Sequence, residues 1–159
     1  MPPGADQSTI QAEAWGLLRP LLHRFEGLYL RPYLCPAGVP TIGLGSLRYL
    51  DGRRVTLKDK PITSEHAWAL ARHQVMAEYM PQTLELCPGI TTAAQLAAIT
   101  DFAYNLGVGA LRSSTLRKRI NADRWGDVPA ELAKWVRGGG RVLPGLVARR
   151  AAEAALIAR

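Results

Sequence analysis

The hydrophobic period of this chain changes abruptly at one point and returns later, and that restricts what it can fold into. Ile10, Ala14, Leu17, Leu18, Leu21, Leu22 and Phe25 recur at three- and four-residue spacings, which predicts a helix from about Thr9 to Phe25. Pro20 lies inside the pattern, so the helix kinks or restarts there, and Gly27 stops it. From Leu28 to Ile62 the helical period is gone. Short apolar pieces alternate with Pro32, Pro36-Ala37-Gly38, Pro40, Gly43, Gly45 and Asp51-Gly52. This reads as an antiparallel sheet of two or three strands, with Asp51-Gly52 as a hairpin turn. Such a sheet needs helices to lean on.

Helical periodicity resumes at Ile62-Thr63-Ser64-Glu65, which opens a long helix running to about Leu84. Cys87-Pro88-Gly89 breaks the chain, and Thr92 to Gln95 has capping-box spacing. The next helix, apolar on Leu96, Ile99, Phe102, Ala103 and Leu106, is the expected buried centre, and Gly107 ends it. Shorter helices are expected near Ser114–Asn121, Pro129–Val136 and Pro144–Ile157. The fold class is therefore α+β and mainly α. A small N-terminal antiparallel sheet lobe occupies about 1–62, a connecting helix about 63–85, and a larger all-helical lobe about 90–159. Together they make one domain with a cleft between the lobes, the default ligand site. Disorder is not expected beyond Met1 to Ala5.

Charge is unevenly placed. Residues 112–159 carry eleven Lys/Arg against four Asp/Glu, which accounts for the whole net charge of +7. A polyanionic partner follows from such asymmetry, with solvated helix faces as the plainer reading. No aromatic stacking motif interleaves with the arginines, so nucleic acid is not the expected partner. Cys35 and Cys87 each precede a proline and belong to no metal spacing, and His23, His66 and His73 form no motif. No metal and no cofactor are expected. The start lacks a basic n-region, and no apolar run is long enough to span a bilayer, so neither a signal peptide nor a transmembrane segment is expected.

Chemistry is concentrated in one stretch. Glu26 follows the first helix, Cys35 comes nine positions later, and Thr41 six beyond that across Pro36–Pro40. At a helix C-terminus Glu26 meets the negative end of the macrodipole, and Phe25 and Tyr29 add apolar surroundings. Both favour a protonated carboxyl suited to general acid catalysis. Cys35 and Thr41 fall on consecutive strands of one hairpin, the thiol able to act as base or nucleophile and the hydroxyl able to orient a water. Each residue taken alone has a plainer reading. Glu26 can be a surface carboxylate paired with Arg24 or Arg31, Cys35 an inert small hydrophobe, and Thr41 a strand residue.

In combination, Glu26, Cys35 and Thr41 resemble the catalytic signature of the phage-type lysozymes, the muramidase endolysins of glycoside hydrolase family 24. Phe25-Glu26-Gly27, Tyr33, Cys35-Pro36-Ala37-Gly38 and Thr41-Ile42-Gly43-x-Gly45 carry the resemblance. Phe102-x-Tyr104-Asn105-x-Gly107, Ser113-Ser114-Thr115-Leu116, Asn121, Trp135, Pro144-Gly145-Leu146 and Arg149-Arg150-x-x-Glu153 extend it to the C-terminal region. The resemblance implies a lysozyme-like fold and a monomer. It also implies hydrolysis of the β-1,4 bond between N-acetylmuramic acid and N-acetylglucosamine in peptidoglycan, with bacterial lysis as the result. Glu26 would be the general acid, with Cys35 and Thr41 positioning or activating water. Asn105 would contact substrate, as would Ser114 and Thr115, whose capping role is the competing reading. Ser46 stands where the family often has His, beside the cleft. Arg149 reads as a solvated or inter-helix ion pair before it reads as a partner of the acid. The basic region would meet the anionic cell envelope. Location in the host cytoplasm, with passage to the wall through a separate pore-forming protein, is likewise implied. Two alternatives accompany this reading. One is a catalytically weak wall-binding protein, and the other is membrane disruption by the basic helix Pro144–Arg159.

Overall fold

The computed structural model describes residues 6–159; the expectation for Met1 to Ala5 lies outside the described residues. Helix α1, Gln7–Glu26, is capped by Asp6, whose side chain accepts from the Ser8 N–H. It buries Ala14, Leu18 and Leu22 at four-residue spacing. The helix runs unbroken through Pro20. The backbone bond that proline cannot donate would have gone to Gly16, where no side chain crowds the turn.

Strands β1, Tyr29–Leu34, and β2, Pro40–Gly43, pair antiparallel through Tyr29↔Gly43, Tyr33↔Thr41 and Leu34↔Pro40. Two isolated bridges, Ile42↔Ser46 and Arg48↔Arg54, extend this small sheet, the second enclosing the expected Asp51-Gly52 turn. Its inner face forms a minor core of Ile42, Val55 and Leu70 with Tyr49 and Ile62 against it.

Helix α2, Ser64–Gln74, passes through a π-helical turn, Val75–Tyr79, into α3, Met80–Leu86. Leu70 belongs to the minor core and Val75 and Met80 to the main one, so this helical run ties the two cores together. After the break at Cys87, Asn121 and Arg117 both donate to the Leu86 carbonyl, at 2.9 and 2.8 Å. The capping box at Thr92 and Gln95 forms as expected and starts α4, Ala93–Leu106. Every residue of α4 from Leu96 to Ala103 is buried, as befits a helix enclosed on all sides.

Around α4 lie α1, α5 (Val108–Ser113), α6 (Thr115–Asn121), α7 (Val128–Leu132) and α8 (Pro144–Ile157). Helix α7 begins one residue before and ends four before the limits read from the sequence, with a 3₁₀ turn, Trp125–Asp127, leading into it. The expectation of an all-helical C-terminal lobe needs correction. Strands β3, Arg137–Gly138, and β4, Arg141–Val142, form a hairpin there. Gly139 and Gly140, at φ +58° and +82°, supply the two left-handed residues of its tight turn. Strands of two residues show no alternation, so the sequence carried only the turn signal. Among the described residues, no helix is long and apolar enough to cross a membrane.

Candidate active site

A cleft of about 990 Å³ separates the sheet lobe from the helices and collects the chemistry-bearing residues. Glu26 enters it from the last turn of α1, Cys35 and Thr41 from the β1–β2 hairpin, Tyr104 and Asn105 from the end of α4, and Arg149 from α8.

Glu26 is held from two directions. Its Oε1 accepts from Arg149 Nη1 at 2.8 Å. Its Oε2 lies over Gly45, where a Cβ would approach to 3.1 Å, and Gly45 also takes φ +87°. A side chain at Gly45 would therefore be strained and would push on the acid. The segment beneath is pinned in turn. Ile42 and Ser46 exchange both backbone hydrogen bonds, and the Tyr104 hydroxyl donates to the Leu44 carbonyl at 2.5 Å. Burial, then the charge of Glu26, pushes the Tyr104 phenol far up, so it remains a donor.

Arg149 fulfils two of the readings the sequence offered for it, leaving out only the solvated one. It is 3% exposed, and its Nε and Nη2 donate to the two oxygens of Asp101, both at 2.9 Å, leaving Nη1 for Glu26. It is thus an inter-helix ion pair and the partner of the acid at once. Neither Arg24 nor Arg31 makes that ion pair. Burial opposes the arginine's charge, but the hydrogen bonds and charge of Asp101, followed by those of Glu26, outweigh it and raise its pKa. Losing one member of such a buried pair costs about 3–5 kcal/mol.

Asp101, fully buried, was not singled out from the sequence. Its signal was a lone acid within the apolar run Ala97–Ala103. Next to it, Arg150 Nη2 donates to Asn105 Oδ1 at 2.7 Å and to Glu153 Oε1 at 2.9 Å. Burial, then the hydrogen bond and charge of Asp101, holds Glu153 well above the ordinary carboxyl range. With Arg149, Arg150 and Glu153 all buried, α8 lacks the cationic outer face that membrane disruption requires.

Cys35 lies at the start of the hairpin loop rather than on a strand, its N–H donating to the Val39 carbonyl at 3.0 Å. The backbone N–H of Val39 lowers the thiol's pKa against partial burial, with the Ala37 N–H adding to the effect. Thr41 is buried, and its Oγ1 donates to the Val39 carbonyl at 2.8 Å.

The other expected contacts divide. Asn105 lines the cleft, its carbonyl oxygen fixed by Arg150 and its amide N–H groups left for a ligand. Ser46 is fully buried and donates to Gln74 Oε1 at 3.2 Å, so it supports the cleft wall instead of facing a substrate. Ser114 caps α6, accepting from Arg117 N–H at 3.0 Å and donating to the Leu111 carbonyl at 2.8 Å. Neither Ser114 nor Thr115, the first residue of α6, lines the cleft. Among the described residues, no three His, Cys, Asp or Glu side chains are placed to hold a metal.

A small sheet lobe and a larger helical lobe built round one buried helix, with an acid, a thiol and a hydroxyl lining the cleft between them, make a lysozyme-like layout. The phage lysozyme family model matches residues 23–153. The chain belongs to that family. It is 35% identical over 136 residues to the endolysin of Bacillus phage PZA, covering 86% of this chain and 51% of that one. The endolysin of Acyrthosiphon pisum secondary endosymbiont phage 1 is 35% identical over 140 residues, covering 86% of this chain and 91% of the other. The chain thus spans about half the length of its Bacillus phage relatives and most of the other. Among solved structures, an endolysin from Escherichia coli O157:H7 phage FAHEc1 superposes with a TM-score of 0.78 at 30% identity, covering 89% of this chain and 90% of that one. The muramidase domain of SpmX from Asticaccaulis excentricus gives 0.76 at 26% identity, covering 91% and 95%.

Proposed function

We propose that this chain is a phage-type endolysin domain that hydrolyses the β-1,4 bond between N-acetylmuramic acid and N-acetylglucosamine in peptidoglycan. The observation that carries the reading is the division of labour between the two oxygens of Glu26. Oε1 is tied to Arg149, while Oε2 lies over Gly45 at the cleft, which supports a role in giving a proton to the glycosidic oxygen. Cys35 and Thr41 line the same cleft. With its hydrogen committed to Val39, the Thr41 hydroxyl offers lone pairs that accept from a water. Cys35, its thiolate favoured by the loop N–H groups, takes that water's proton as its oxygen attacks the anomeric carbon. Departure of the protonated leaving sugar completes a single displacement with inversion. Asn105 offers amide donors to the bound glycan. Family membership and likeness to proteins described as endolysins and a muramidase support the substrate assignment.

The basic C-terminal region suits an anionic envelope. Two of its eleven cations, Arg149 and Arg150, are internal, but Arg112, Lys118, Arg137, Arg141 and Arg159 are exposed. These would concentrate the enzyme at the wall. Release from the host cytoplasm to the wall would depend on a separate pore-forming protein.

Clearing of outer-membrane-permeabilised cells tests the reading. Native protein is expected to clear the suspension, and Glu26→Gln to be slower by at least about 100-fold, the scale of a general-acid contribution. Equal clearing by the two proteins would remove Glu26 from its role.

A further inference from the structure

Two tyrosines meet in the cleft through a distortion of β1. The four-residue step from Tyr29 to Tyr33 lies opposite only the two-residue step from Gly43 to Thr41 in β2. In a regular strand, residues four apart stand about 13 Å from each other. Here the Tyr29 and Tyr33 ring centroids are 4.5 Å apart, with their planes inclined by 41°. The bulge that achieves this contains Pro32, and the Leu30 carbonyl within it accepts from the Ile62 N–H at 2.9 Å. Bulges beside active sites commonly re-aim a side chain.

Gly27 gives the outer ring its place. A Cβ there would come within 3.0 Å of Tyr29 Cε2, so the ring edge lies beside the backbone that follows Glu26. Both rings line the cleft with Glu26 and Cys35, yet Tyr29 is 49% exposed. The core therefore does not account for an aromatic ring at this position.

The face of a β-1,4-linked pyranose is a sheet of axial C–H bonds with its polar groups at the rim. At this separation the two rings pack on each other, so Tyr33 backs the Tyr29 ring, whose outer face offers an apolar surface of similar size. We propose that Tyr29 and Tyr33 form a stacking shelf for a sugar ring of the glycan strand close to Glu26, selecting rings whose substituents are equatorial. This rests on the glycoside hydrolase reading above and adds a residue pair to it. Tyr29 is the specificity-determining member, because its exposed ring is available to a ligand.

The test separates binding from turnover. Tetra-N-acetylchitotetraose is titrated by calorimetry into Glu26→Gln protein, alone and combined with Tyr29→Ala or Tyr29→Phe. The alanine is expected to weaken binding about ten-fold, equivalent to about 1.4 kcal/mol. The phenylalanine is expected to stay within about two-fold, as for a substitution that leaves the packed surface intact. In the active protein, Tyr29→Ala is expected to raise KM with kcat retained and the melting temperature unchanged. Absence of tetrasaccharide binding to Glu26→Gln protein would overturn the proposal, as would equal binding by the alanine variant. Equal loss with alanine and phenylalanine would assign the contact to the hydroxyl and overturn stacking. If wild-type protein releases no muropeptides while tetrasaccharide binding still depends on the Tyr29 ring, the hydrolase reading fails and the shelf stands.

Discussion

At Cys35 and Cys87 one residue type meets two opposite environments, and the contrast shows what each thiol can do. Cys87 is fully buried, and that burial pushes its pKa up to about 11. Cys35 is half-buried, with loop N–H groups led by Val39 pulling its pKa down. Iodoacetamide at about pH 7.5 is therefore expected to alkylate Cys35 and spare Cys87, with loss of activity. Peptide mapping of the alkylated protein checks this; full activity after complete Cys35 modification would contradict a catalytic thiol. Glu153 gives a second prediction, in stability. Its folded pKa is raised, so its contribution is fully present below the unfolded value near pH 4 and is lost as pH rises through the folded value. Glu153→Gln keeps an acceptor for Arg150 but does not titrate. Its melting temperature is expected to gain on wild type as pH goes from about 4 to 8. Parallel curves would mean that Glu153 is ionised in the folded protein. Glu26, Cys35 and Thr41 were legible in the sequence because their spacing is local. Arg149 was legible only through the resemblance, and Asp101 not at all, since they meet Glu26 across separations of 123 and, through Arg149, 48 residues. No local pattern encodes that meeting.

Elements were legible where a long period or a cap marked them. Helices α1, α4 and α8 follow their apolar spacing closely, and the Thr92 capping box is made by the two residues that its spacing named. The β1 bulge was invisible, because a register shift depends on the partner strand as much as on Tyr29 to Tyr33. Ser114 illustrates a choice that only the structure decides. It was both a cap and a substrate-contact candidate, and it caps α6 from a buried position. Ser114→Ala is expected to cost about 1 kcal/mol in urea unfolding while leaving the specific activity of folded protein unchanged. A fall in kcat/KM without loss of stability would return Ser114 to the substrate.

For the molecule as a whole, two hydrophobic clusters of unequal size leave a cleft between them, bridged by the run of helix from Ser64 to Leu86. Arg149 reaches across that arrangement. It binds α8 to α4 through Asp101 and holds the acid of α1 at the cleft, so the pair that fastens the helices also positions Glu26. The surplus of basic residues remains a property of the outer surface of the helical lobe, apart from the two buried arginines. The central claim is that this cleft hydrolyses glycan strands with Glu26 as acid. Mass spectrometry of fragments released from purified peptidoglycan tests it most directly. The account predicts muropeptides ending in a reducing N-acetylmuramic acid from the wild-type protein and almost none from Glu26→Gln. Products ending in 1,6-anhydro-N-acetylmuramic acid, or equal release by the Glu26→Gln protein, would contradict it.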